Sequence, residues 1–422
     1  MSKKAYFILM LCLILLLGGC SPGKADEAEP QESLTGTITL WTYFTDTEAR
    51  LNDAFHTVYP HIDINMVPVP WADYDEKFRV TLAIGGDLPD IAMAESFWWG
   101  KWLAMDDTFE DLSQLGINPE DVSPAAAKAM KSHQGDFVVV PVSFGIGCLW
   151  YRKDLAHQIL GINTEEEMQA RLQTWDDFLT IGEEIKDYTG VKAYLFADTM
   201  SIEEFLVSAD DAYLVGNTLN LTEHILPKFQ LIETMLDNGY IAAFKGMEID
   251  QSYTQGNIMF YPSADWLGEY IKGMDPNGTG KWGVVAPPGG SFFRGGHGYA
   301  IPKKSNADNK EMAAKRIGFV LTPLGSQTVI ESNEFSACRD AFTEDILNTR
   351  DSYFQEYLTR QFHQWFIGIG TSLTYGEFDD IVDKEIRMQA YNMMETGIGA
   401  EAAIDNIRAE LNRKLDGQIV IQ

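Results

Sequence analysis

Val138-Val139-Val140-Pro141-Val142-Ser143-Phe144-Gly145-Ile146-Gly147-Cys148-Leu149-Trp150-Tyr151 is apolar for nearly its whole length and is punctuated by two glycines. Val138 to Val142 is apolar on successive residues, which suits a strand covered on both faces, and Leu149 to Tyr151 repeats the pattern. Gly145 and Gly147 relax the backbone between the two runs. The stretch reads as a strand that leaves one lobe and enters another, so function is expected in the cleft beside it.

The chain before this crossing alternates. Thr37 to Trp41 patterns as a strand, and Thr45 with Glu48 forms a capping-box spacing ahead of a helix striped by Leu51, Ala54, Phe55 and Val58. Tyr59-Pro60 stops that helix, His61 to Val67 is a second strand, Tyr74, Phe78 and Leu82 stripe a second helix ended by Gly85-Gly86, and Ile91 to Ala94 is a short buried strand. Strand, helix, strand, helix, strand is the order of a doubly wound α/β sheet. After the crossing the alternation resumes: Thr174 caps a helix carrying Trp175, Phe178, Ile181 and Ile185, and strands are expected at Val191 to Phe196, Ile258 to Tyr261 and Trp282 to Ala286. Gly295 to Pro302 reads as a second crossing back, and Phe378 to Leu415 as a long charged helical region on the outside of a lobe.

With 422 residues and 45% hydrophobic content there is room for two domains with sizeable cores. A formal charge of -30 repels phosphate backbones and anionic headgroups, which argues against nucleic acid and against a basic membrane patch. Of four cysteines, Cys12 lies in an apolar N-terminal run and Cys20 at its end, leaving Cys148 and Cys338 either to pair or to be buried separately. Lys3 and Lys4 followed by the apolar run Ala5 to Leu17, shorter than the roughly 20 residues of a spanning helix, form an export signal. Leu17-Gly18-Gly19-Cys20 resembles the bacterial lipobox, which makes Cys20 a lipidated first residue, and Ser21 to Ser33 reads as a flexible acidic tether. The expected division is 1–20 signal peptide, 21–34 tether, 35–143 plus 299–340 first lobe, and 144–298 plus 341–422 second lobe.

Several local patterns, in this order, resemble one family. Ile38-Thr39-Leu40-Trp41, Tyr59-Pro60, Gly86-Asp87-Leu88-Pro89-Asp90-Ile91, Tyr151-Arg152-Lys153-Asp154-Leu155, Thr174-Trp175-Asp176-Asp177-Phe178, Trp282-Gly283-Val284-Val285, Gly296 to Ile301 and Phe335-Ser336-Ala337-Cys338-Arg339-Asp340 are similar to family 1 extracellular solute-binding proteins, the maltose-binding-protein-like receptors of ABC importers. The resemblance spans nearly all of the mature chain. It implies a type II periplasmic-binding-protein fold, with two α/β lobes joined by hinge crossings, and a monomer that captures a mono- or oligosaccharide for the transmembrane subunits of an ABC permease. It implies no cofactor and no metal, and a membrane link through the lipid alone, on the outer face of the cytoplasmic membrane or the periplasmic side. Gly145, Gly147, Gly295, Gly296 and Gly298 are the expected hinge.

Sugars offer hydroxyl edges and flat apolar faces, so their sites combine polar groups with Trp or Tyr. Trp41 and Tyr43 follow the first strand at the end where open α/β sheets bind ligands, although Trp41 also fits a core position. By resemblance, Glu95, Ser96 and Phe97 line the cleft, Phe144 contacts ligand beyond the crossing, and Asp265 with Trp266 places a stacking tryptophan on the second lobe. Gly296 and His297 stand at the return crossing with Gly295, where backbone can approach ligand closely. Trp98, Trp99 and Trp102 are either cleft or core; Trp365 and Tyr375 are weaker candidates, and Arg294 and Arg339 suit either an acidic sugar or ordinary ion pairs. No Gly-x-Ser-x-Gly elbow, P-loop or His-x-x-x-His pair occurs, so no catalytic residue is assigned. Two other readings stay open: a surface-anchored glycan hydrolase or lyase, for which Glu95 and Asp265 would be the carboxylates, and a ligand sensor for a signalling partner.

Overall fold

The computed structural model describes residues 34–209, 213–369 and 375–422. The leader, Cys20 and the tether lie outside the described residues. Strand β1 (Gly36–Thr42) buries Ile38 and Leu40 and runs parallel to β2 (Ile62–Pro68) and β3 (Ile91–Glu95), connected through α1 (Thr45–Val58) and α2 (Trp71–Ile84). Leu51 and Phe55 of α1 and Tyr74 and Phe78 of α2 are fully buried against this sheet, while Val58 is exposed. Gly85 ends α2 in the left-handed region, with φ 67°, where a Cβ is disfavoured. The expected capping box does not form. Glu48 is fully buried instead, held by Arg316 Nη2 at 2.6 Å and by the Tyr299 hydroxyl, and Phe44 stands at the N-cap without a side-chain bond. A buried carboxylate needs a charged partner more than a helix end needs a cap.

β3 is buried at every residue, and its last residue, Glu95, caps α3 (Ser96–Leu103) by accepting from the Ser96 amide. The crossing read from the sequence is β4 (Val140–Arg152), thirteen residues buried throughout. Its far half, Gly147 to Arg152, runs antiparallel between β5 (Phe260–Ala264) and β6 (Trp282–Val285). Its near half, Val140 to Ile146, runs antiparallel to β7 (Phe293–Ala300), with β8 (Phe335–Ser336) on the opposite edge. The near sheet is ordered β8-β4-β7-β3-β1-β2, so β7 is the return crossing. The strand expected over Val191 to Phe196 is reduced to bridges from Tyr194 to Ile258 and from Phe196 to Ile241.

Helices α4 (Asp177–Asp187), α5 (Thr199–Ser208) and α6 (Leu226–Asp237) cover the far sheet, and α7 (Leu267–Met274) follows β5. At α4 the expected cap is reversed, since the Asp177 carboxylate accepts from the amides of Gln173 and Thr174 at 2.9 and 2.7 Å. Helix α8 (Lys310–Phe319) carries Arg316 to Glu48, and α9 (Leu358–Ile369) sets Phe362 near Trp150. The region expected as one outer helix is two, α10 (Asp379–Thr396) and α11 (Ala400–Leu415), parted at Gly397 with φ 69°. α10 buries Val382, Ile386, Ala390 and Met393, and its first turn reaches α3, where Lys101 Nζ lies 2.6 Å from Asp380 Oδ2. It therefore lines the interface between lobes.

Apolar burial falls into two clusters, one around β1, β3, β4 and β7 that continues to Trp150 and Trp282, the other among α4, α5, α6, α10 and α11. Cys148 and Cys338 are both free and buried. The crossing glycines are set by proximity. A Cβ on Gly145 would collide with the Arg294 carbonyl oxygen, and one on Gly147 would lie 2.8 Å from the Phe292 ring. Alanine at 145 must part β4 from β7, and at 147 it must move the Phe292 ring, so these glycines do more than free a hinge.

Candidate ligand-binding cleft

The carboxyl ends of β1, β2 and β3 converge beside the two crossings. From β1 comes Tyr43, whose hydroxyl donates to Glu95 Oε2 at 2.8 Å. Glu95 Oε1 accepts from the Ser96 amide at 3.0 Å and the Ser96 hydroxyl at 2.9 Å. A carboxylate has room for about four donors, so Glu95 can accept one more, such as a ligand hydroxyl. Burial raises its pKa, opposed by the bond from Tyr43 and the nearby His297. His297 lies directly across the ladder from Glu95, its Nδ1 3.2 Å from both Ser143 Oγ and Glu334 Oε2, and burial lowers its pKa so that it favours the neutral ring.

Around this polar centre runs an aromatic wall. Phe44 packs edge-on to Tyr43 at 4.6 Å and to His297 at 5.2 Å. Trp71 stacks on Trp98 at 5.9 Å and meets Phe97 edge-on at 6.4 Å. Phe44 is 42% exposed and Trp71 48%. Sequence reasoning missed both, although Trp71 follows the carboxyl end of β2 as Tyr43 follows β1, and the same ligand rule applies there. Trp266, at the head of α7, is 44% exposed and donates from Nε1 to the Arg294 carbonyl at 3.3 Å, which sets it against Gly145 and Gly295. Beside it, Asp265 Oδ1 accepts from the Ile146 amide of β4 at 2.6 Å, and burial pushes this carboxyl from 3.8 up to about 7.

Other predicted residues lie deeper. Trp41 is 7% exposed, edge-on to Tyr74, with Lys77 Nζ 4.3 Å above its ring. Phe144 is buried against Trp99, Phe293 and Phe366. Gly296, at φ 116°, brings β7 against the Ser143 carbonyl, where a side chain would clash. Trp98, Trp99 and Trp102 are all buried; Trp99 and Trp102 donate to the Ala94 carbonyl and Asp75 Oδ1. Tyr375 packs edge-on to Trp99, Trp365 on Phe362, and Arg339 pairs with its neighbour Asp340.

Beside the aromatic wall come charges of which only Arg294 is singled out in the sequence. Glu203 and Glu204 lie on α5, Asp383 and Arg387 on α10, and Arg294 on β7. Arg294 and Arg387 both pair with Glu204, and their guanidinium carbons lie 4.6 and 5.7 Å from the centre of the Phe97 ring. Burial pushes Glu203 up to about 8 and lowers Arg294 to about 9. Two cavities lie elsewhere: one of about 260 Å³ between Tyr188, Tyr194 and Tyr240, and one of about 460 Å³ between Tyr59, Ile117 and Leu324. The cleft thus joins stackable rings, hydroxyl acceptors and paired charges drawn from both sheets.

Known proteins share this fold. The sequence profile of the bacterial extracellular solute-binding proteins matches residues 51–345. A lactose-binding protein of Rhizobium radiobacter is 23% identical over 382 residues, spanning 84% of this chain and 87% of its own. An arabinooligosaccharide-binding protein of Bacillus subtilis (strain 168) is 25% identical over 336 residues, spanning 74% of this chain and 75% of its own. Among solved structures, the ABC transporter associated binding protein from B. animalis subsp. lactis Bl-04, in complex with beta-1,6-galactobiose, superposes with a TM-score of 0.75 at 16% identity, covering 92% of this chain and 100% of that one. The GacH receptor of Streptomyces glaucescens GLA.O gives a TM-score of 0.74 at 18% identity, covering 91% and 99%. The fold is the two-lobed type II periplasmic-binding-protein fold. With the profile matched across both crossings, the chain belongs to the bacterial extracellular solute-binding proteins, a family of binding proteins that work outside the cytoplasm.

Proposed function

We propose that this protein is a lipid-anchored receptor that captures a carbohydrate and delivers it to the transmembrane subunits of an ABC importer. The observation that carries the reading is the half-exposed aromatic wall of Phe44, Trp71 and Trp266 set beside the hydroxyl acceptor Glu95. Flat rings take the apolar faces of a sugar and the carboxylate takes its hydroxyl edge. That relatives are named for lactose and arabinooligosaccharides supports the ligand class. The lobes 35–143 plus 299–340 and 144–298 plus 341–422 close on the ligand about β4 and β7, and the receptor acts as a monomer.

Titration calorimetry against lactose, galactobiose and arabinooligosaccharides is the test. A micromolar ligand corresponds to about -8 kcal/mol of binding free energy. Trp266→Ala should weaken the best ligand about tenfold or more, the loss of one stacking face; an unchanged affinity removes Trp266 from the site, and no glycan binding at all removes the function. The protein leaves its ligand intact. Glu95 is engaged by Tyr43 and Ser96 and Asp265 by the Ile146 amide, which suits positioning rather than proton transfer to a glycosidic oxygen. Shorter products after incubation with the bound glycan would overturn that.

A further inference from the structure

Resting on the carbohydrate reading, we infer that Glu204 sets the charge of the glycan this cleft accepts and excludes uronic acids. Two guanidiniums over one aromatic ring would ordinarily make a cradle for a ligand carboxylate, because each presents a planar fork of donors. Here Arg294 from β7 and Arg387 from α10 flank Phe97, and the Nη2 of each contacts the same carboxylate, that of Glu204 on α5. The protein has filled with its own side chain the place a uronate would take.

The remaining charges point the same way. Glu203, Asp383 and Glu95 also act on Arg294, so with Glu204 four acidic side chains lie around it. Two of the buried atoms left unpartnered among the described residues belong to this cluster, the donor Arg387 Nε and the oxygen Glu203 Oε2. Glu203 is 2% exposed and its field couples to Arg387, Arg294 and Asp383, which places it against this cluster. Both guanidiniums are thus already charge-matched by Glu204, and a ligand carboxylate would have to compete with that side chain for them. The cleft therefore takes neutral glycans at this subsite.

Calorimetry with 1,4-linked galactobiose and 1,4-linked digalacturonate, on wild type and on Glu204→Gln, tests this. Gln keeps the size and the acceptor oxygen of Glu204 and removes its charge. Wild type should bind galactobiose and bind digalacturonate at least about tenfold more weakly, and Glu204→Gln should gain about tenfold for digalacturonate, a gain that Arg387→Gln in the same background abolishes. Digalacturonate binding to wild type as tightly as galactobiose overturns the inference, as does a folded Glu204→Gln with no gain. If Glu204→Gln fails to fold, the wild-type comparison alone decides. If wild type binds no neutral glycan, lactose included, the carbohydrate reading falls; uptake of digalacturonate by Glu204→Gln alone would then still support the role of Glu204, and its absence would overturn it.

Discussion

Asp265 shows what a single side chain contributes. Its carboxyl is pushed from 3.8 to about 7 because it is buried, while its Oδ1 holds the Ile146 amide of the crossing strand. The native state keeps a proton that the unfolded chain releases above about pH 4. Stability attached to this group is therefore full at low pH and is lost as pH rises through about 7. Asp265→Asn keeps the acceptor and removes the titration, so the decline in unfolding free energy between about pH 5 and about pH 8 should shrink by about 2 kcal/mol. Denaturant unfolding at the two values measures it, and an equal decline in both proteins refutes the assignment. Glu334 and Asp379, raised to about 7 by burial, and Glu203, raised to about 8, leave the variant a residual decline. At this scale legibility was uneven. Tyr43 and Glu95 follow strands, where position alone suggests ligand, and they do meet. Trp41 obeys the same rule, yet it still lies within β1, where Tyr74 and Lys77 of α2 cover its ring. Arg387 and Glu204 are 183 residues apart, and nothing in either local sequence announces the pair.

Among the elements, β4 was readable because burial on both faces leaves an unbroken apolar run, and β7 because glycines mark where it presses on β4. Boundaries shifted by a few residues only. Helix α10 departs from the expectation for a physical reason: its charged residues look like a solvated face, but Asp380 is matched by Lys101 of α3, and Asp383 and Arg387 by Tyr213 and Glu204. Pairing hides charge that a hydrophobic pattern counts as exposed. Gly145→Ala probes the crossing itself. Because the added methyl group meets the Arg294 backbone rather than a movable side chain, it should destabilise by about 2 kcal/mol or more and weaken ligand binding through Trp266, which also abuts Gly145. Urea unfolding and calorimetry read the two effects, and a variant as stable as wild type would show that β4 and β7 are not held this closely in solution.

For the molecule as a whole, no described helix is long and apolar enough to cross a membrane. The proposed attachment rests on the N-terminal sequence, where Cys20 follows Leu17-Gly18-Gly19. A diacylglycerol thioether and an amide-linked chain together give stable anchoring, at about 0.8 kcal/mol per buried methylene. Cys20→Ala should move the protein from the membrane to the soluble fraction in cell fractionation; retention on the membrane would refute the lipid anchor.

The run from Val140 to Arg152 is interior to both sheets, with β7 and β8 on its flanks in one and β5 and β6 in the other. Neither lobe owns it. A gene cut near Gly145 would leave each fragment with a missing middle strand and two raw edges, so the lobes cannot be exchanged between relatives as cassettes at that point. Grafting a new specificity onto this scaffold has to proceed through the loops that follow the strands, where Trp71, Glu95 and Trp266 already stand, with the shared strand carried over intact.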